Sequence, residues 1–104
     1  MQERTGANDH VMIERLRTLE GPLRARGVTS MDLFGSRARG DHGDNSDLDV
    51  LIAVDEKVRF TLLDLANLAV MASDCTGLAV NPLIAADLQP SFKQRILDDL
   101  TEIF

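Results

Sequence analysis

The sequence predicts one α/β domain: a small mixed β-sheet with flanking helices, in the order α-β-α-β-α-β-α. Three observations predict it. Two apolar runs, residues 28–34 and 48–54, read as strands on either side of a polar, glycine-bearing stretch. An amphipathic helical segment after Thr61 separates the second run from a third strand, and strands alternating with helices make an α/β layer. With 104 residues there is room for one core.

Residues 1–8 read as a flexible polar arm, leaving residues 9–104 as the single domain. Asp9 is expected to cap a first helix, whose apolar positions Ile13, Leu16 and Leu19 recur near helical spacing. Gly21-Pro22 interrupts it. A second short helix follows over residues 22–26, and Gly27 closes it. Arg15, Arg17, Arg24 and Arg26 read as a solvated helical face.

In the strand at residues 28–34, Met31 and Leu33 share the side expected to face the core. Residues 36–39 can form one helical turn, and residues 41–46 are a loop by composition. Residues 48–54 are almost continuously apolar, as a central strand buried on both faces would be. After the charged turn Asp55-Glu56-Lys57, Thr61 and Asp64 resemble a capping pair. Leu62, Leu65, Leu68, Ala69 and Ala72 then form the helix's apolar stripe, and Gly77 ends it. The third strand covers residues 78–84. Pro82 cannot donate to a ladder there, so this strand belongs at an edge or is paired on one side. Asp87 or Ser91 opens a last helix, with Phe92, Ile96, Leu97 and Leu100 facing inward.

Composition narrows the function. The formal net charge is −6 and no stretch is a long basic stripe, so a nucleic acid is an unlikely partner. There is no Trp and no Tyr, so any base-stacking platform would have to come from four Phe residues. The single cysteine, Cys75, excludes an intrachain disulfide and reads as a small buried hydrophobe rather than a nucleophile. No apolar run approaches the ~20 residues that span a bilayer. The polar N-terminus lacks a signal-peptide core, so the cytoplasm is the expected compartment.

The chemistry concentrates between the first two strands. Gly35 lets backbone approach a ligand closely, and the amides of Ser36 and Arg37 would open a helical turn, where N–H groups favour anions. A lone Gly-Ser step is common and carries little by itself. Asp47 and Asp49 leave the same strand face with Cα atoms about 7 Å apart, a spacing that suits hard cations such as Mg²⁺. They could equally cap a turn and end a strand. A calcium loop fails on register. Counted from Asp47, Leu51 and Ile52 occupy the fifth and sixth places; counted from Asp41, the twelfth place is Ile52 rather than Glu.

Together, Gly35-Ser36 followed after ten residues by Asp47-Leu48-Asp49 resembles the signature of the DNA polymerase β-like nucleotidyltransferases. The run GSRARGDHGDNSDLDVLI is similar to that of the minimal nucleotidyltransferases, stand-alone domains found as antitoxins beside HEPN-type toxins. The resemblance implies a nucleotidyltransferase-like fold, with Gly35 and Ser36 holding the phosphates of ATP. Arg37 and Arg39 could reach a phosphate, though each could equally be a solvated charge. Asp47 and Asp49 would bind two Mg²⁺ ions, with Asp47, Asp49 and Ser36 as the catalytic set. It further implies transfer of AMP to a hydroxyl of a partner toxin, which is thereby neutralised.

One position departs from the family. Its members usually supply a third carboxylate from the next long strand, where this chain has Asn81. An amide oxygen can touch a metal but cannot act as a general base, which is typically worth ~10²–10⁴ in rate. Three readings follow: an enzyme using two aspartates and an easily ionised acceptor such as a tyrosine hydroxyl, a degenerate domain that neutralises its partner by binding alone, or an introduced Asp-to-Asn change. Asp87 is a weaker substitute carboxylate, beyond the strand. Modification of nucleic-acid 3′ ends is disfavoured by the acidity of the chain.

Overall fold

In the computed structural model, which describes residues 4–35 and 47–104, the two apolar runs form β1 (Val28–Phe34) and β2 (Leu48–Val54) with the expected bounds. They pair antiparallel, Leu33 opposite Val50 and Phe34 opposite Asp49. A third strand, β3 (Val80–Ile84), runs parallel to β2, with Asp49 beside Asn81 and Val50 beside Pro82. The fourth strand, β4 (Thr101–Glu102), pairs antiparallel with β1 and completes the sheet order β3-β2-β1-β4. The sheet is mixed, as predicted. β2 is internal and β3 is an edge, the place Pro82 requires.

Alternation along the strands gives the sheet two buried faces. Met31, Leu33, Leu48, Val50 and Ile52 point into the larger core, 0–1% exposed. That core is covered by α1 (Arg4–Arg17), α2 (Glu20–Ala25) and α3 (Leu62–Thr76), which contribute Leu16, Leu23, Leu68 and Ala72. On the other face Phe34 and Leu51 pack with Ile96 of α4 (Pro90–Ile96), joined by Leu83, Phe92 and Leu100. Phe34 and Phe92 meet edge to face, centroids 6.4 Å apart. The strand β2 is therefore buried on both sides at its middle, which is why its sequence is continuously apolar.

Local chemistry fixes the helix ends. The Thr61 side chain accepts from the Asp64 amide while the Asp64 carboxylate accepts from the Thr61 amide, a reciprocal capping box. Gly77, at φ +79°, closes α3 in the left-handed conformation.

Five expectations are corrected. The first helix begins at Arg4, within the stretch expected as an arm, so Asp9 lies inside α1 rather than capping it. The third strand starts at Val80, not at residue 78, because α3 runs on to Thr76 and its exit turn takes up the following residues. α4 opens at Pro90 behind Gln89, so neither Asp87 nor Ser91 caps it; proline is well suited to the first helical position. Leu62 is 84% exposed and Leu97 56% exposed, each at the end of a helix where the inward stripe has turned away. The sequence reading also lacked β4, whose two residues are too short to show any period.

Arg17 and Arg24 do more than solvate a face. The Nε of Arg17 donates to the Ile103 carbonyl at 2.9 Å, and the Arg24 guanidinium lies 5.2 Å from the Phe104 ring centroid. Both tie the C-terminal segment to the helical layer. Ile103 itself donates to the Met31 carbonyl and is 1% exposed.

Candidate functional site

The two aspartates and the asparagine meet at one end of the sheet. Asp49 occupies the β2 position between Phe34 of β1 and Asn81 of β3. Asp47 precedes the strand by one residue, on the same side by alternation. The Nδ2 of Asn81 donates to Asp47 Oδ2 at 3.2 Å and to Asp49 Oδ1 at 3.4 Å. Residues 47 and 49 are thus brought together with residue 81, at the place where a third carboxylate was expected. Asp47 and Asn81 are exposed and Asp49 is half-buried, so the cluster opens to solvent.

Gly35 forms the opposite wall. It has φ +81°, and a Cβ placed on it would stand 2.6 Å from Asp49 Oδ2. The residue is glycine for two reasons, a left-handed backbone and the closeness of a carboxylate. Ser36, Arg37 and Arg39 lie outside the described residues, as do the predicted turn at 36–39 and the loop at 41–46.

Other candidates fall away on position. Asp87 ends a 3-10 turn (Ala85–Asp87) and lines a hollow with Asp55 and Glu56 near the last residues of β2 and β3, the opposite end from Asp49 and Asn81. It cannot replace the missing acid. Cys75 packs against the core; its Sγ donates to the Arg15 carbonyl at 3.3 Å, and burial pushes the thiol pKa up. Such a thiol is a poor nucleophile. All four Phe rings are buried or half-buried, so none forms an open stacking platform.

One ionisable group escaped the sequence reading. Asp32 lies opposite both Leu51 and Glu102 across the sheet, on the face that carries Asp49. Burial, and then the facing Glu102 carboxylate, hold its pKa above the usual 3.8. Its only signal in the sequence was a charge within an otherwise apolar strand.

Known proteins share this fold. Residues 12–103 match the nucleotidyltransferase domain family. A protein of Methanocaldococcus jannaschii named as a protein adenylyltransferase is 32% identical over 81 residues, covering 78% of this chain and 85% of that one. A solved structure described as a minimal nucleotidyltransferase superposes with a TM-score of 0.72 at 30% identity, covering 85% of this chain and 88% of its own. A toxin–antitoxin crystal structure with AMP-PNP has the same fold, TM-score 0.72 at 17% identity, over 88% of this chain and 72% of that one. Among the described residues no helix is long and apolar enough to cross a membrane.

Proposed function

Because the chain belongs to the nucleotidyltransferase domain family, we propose that it is a Mg²⁺-dependent antitoxin enzyme. It transfers AMP from ATP to a hydroxyl of a partner HEPN-type toxin in the cytoplasm and thereby silences it. The observation that carries this reading is the meeting of Asp47 and Asp49 at one nitrogen, beside a glycine in the left-handed conformation. The adenylyltransferase name of the M. jannaschii relative supports the transferred group. The toxin–antitoxin neighbour with AMP-PNP supports the partner class and the nucleotide.

The donor set fits Mg²⁺. Two carboxylates are the usual protein share of a site completed by phosphates and water. Bound there, Mg²⁺ would supply charge stabilisation to the phosphoryl oxygens. Asp47 and Asp49 would hold it, Gly35 would leave room for a phosphate at the backbone, and Ser36, Arg37 and Arg39 would contact the triphosphate. In the transfer, the acceptor oxygen forms a bond to the α-phosphorus and the bond to the departing pyrophosphate breaks. The acceptor's proton goes to water, because the amide of Asn81 cannot take it. A tyrosine hydroxyl, with a pKa near ~10, is the acceptor best suited to such a site.

The test is to combine the chain, ATP and Mg²⁺ with the toxin encoded beside it. The toxin should gain the mass of AMP and lose its toxicity, and Asp47→Ala should abolish both effects. Asn81 favours a second reading, neutralisation by binding alone. In that case no adduct forms and Asp47→Ala still neutralises the toxin.

A further inference from the structure

An ionised carboxylate only accepts hydrogen bonds, so the Asn81 amide must turn its NH₂ rather than its carbonyl toward Asp47 and Asp49. Its two N–H groups meet one oxygen of each, at 3.2 and 3.4 Å. These are long bonds in an exposed place, easily exchanged for other ligands. They nevertheless put a donor without net charge between two like charges that would otherwise repel. The parallel register of β2 and β3 holds the donor there, with Asn81 directly beside Asp49.

Charge balance follows from the same geometry. Asp47 and Asp49 together carry two negative charges, which one divalent cation neutralises. Among the described residues no third Asp, Glu, His or Cys joins them to form a larger ligand group. On the other side, the Oδ2 of Asp49 lies over Gly35, 2.6 Å from where a Cβ would stand.

We propose that Asn81 is a positioning residue that makes this a one-cation site. Its amide keeps Asp47 and Asp49 together when no cation is bound, and its lack of charge withholds from a second divalent cation the carboxylate that position 81 would otherwise supply. The inference rests on the metal-nucleotide reading above and extends it to stoichiometry.

Mn²⁺ binding to the full chain without nucleotide, followed by the electron paramagnetic resonance signal of free Mn²⁺, tests it. The wild-type chain is expected to bind one Mn²⁺, with any second ion at least roughly 100-fold weaker, the order set by a missing carboxylate at a half-exposed ion pair. Asn81→Asp should bind two ions with affinities within about tenfold of each other, since the new carboxylate supplies that contact. Its melting temperature should fall in chelator and recover in Mn²⁺, whereas a purely structural role for Asn81 would leave the ion count at one. Two ions of comparable affinity on the wild type, or one ion on Asn81→Asp, would overturn the proposal and leave the transferase reading standing. A wild-type chain that binds no Mn²⁺ without nucleotide would overturn the one-cation proposal, while the transferase reading stands or falls on the AMP adduct of the toxin.

Discussion

Asp49 reaches over Gly35: a Cβ at position 35 would stand 2.6 Å from the Oδ2 of Asp49, so a side chain there would displace the carboxylate. The positive φ of Gly35 and the nearness of the carboxylate both favour glycine at this position.

Gly35→Ala is therefore expected to push Asp49 out of place as well as to strain the backbone. The left-handed conformation at φ +81° costs an alanine about 1–2 kcal/mol. For a domain of this size that is a fall of roughly 5–15 °C in melting temperature. Calorimetry should show that fall, and a Mn²⁺ titration should show affinity reduced by more than about tenfold, one pairwise contact's worth. Unchanged Mn²⁺ affinity in a folded variant would mean that Asp49 does not need the space.

Asp32→Asn should stabilise the protein at neutral pH. Burial, then Glu102, raise the Asp32 pKa, so its ionised form disfavours the native state. The penalty is complete above the raised folded pKa and is gone below the unfolded value of 3.8. Removing a like charge opposite another on a sheet is worth a few tenths to about 1 kcal/mol. Urea unfolding should show that gain at pH 7, with the two proteins converging as pH falls toward 3.8. A gain that persisted at low pH would point to packing instead of charge.

Thr61→Ala should weaken α3 at its start, because the Thr61 side chain and the Asp64 carboxylate cap it reciprocally. Loss of an N-cap side chain costs about 0.5–2 kcal/mol. The Thr61 backbone N–H, then its hydroxyl, hold the Asp64 pKa down. Stability from that carboxylate is thus present above its unfolded pKa and lost as pH falls through the lower folded value. In the variant, an NMR titration should find Asp64 shifted upward yet still depressed, since the backbone donor remains.

Ile103→Ala tests the strand that the sequence hid. Ile103 is 1% exposed and donates its N–H to Met31. Truncating it should cost about 2–5 kcal/mol, a large share of a small domain's stability. Denaturant unfolding should shift its midpoint strongly at an unchanged slope; a shift below about 1 kcal/mol would mark the C-terminal segment as peripheral.

The sequence carried the elements whose cause is local. The apolar run of residues 48–54 and the Thr61/Asp64 pair state their own structure, and Pro82 states that its strand lies at an edge or is paired on one side. Long-range pairing was illegible. Thr101 and Glu102 become a strand only because Asp32 and Leu33 lie alongside, and no period fits in two residues. The start of α1 was missed because capping rules favour Asp9, whereas the helix continues to Arg4. At the site, the pairing of Asp47 with Asp49 was legible from spacing. The contact with Asn81 was reachable only through the family pattern, since 34 residues separate it from Asp47. The crowding at Gly35 depends on a side chain across the sheet and left no trace in the sequence beyond the glycine itself.

The parallel pairing of β2 with β3, set against the antiparallel pairing of β1 with β2, has a consequence for how the protein opens. Asp49 and Asn81 come from adjacent strands and Gly35 follows the third, so a ligand gripped there bridges the sheet crosswise rather than resting on one segment. Ligand should therefore slow amide hydrogen exchange across β1, β2 and β3 by a common factor, the signature of one cooperative unit.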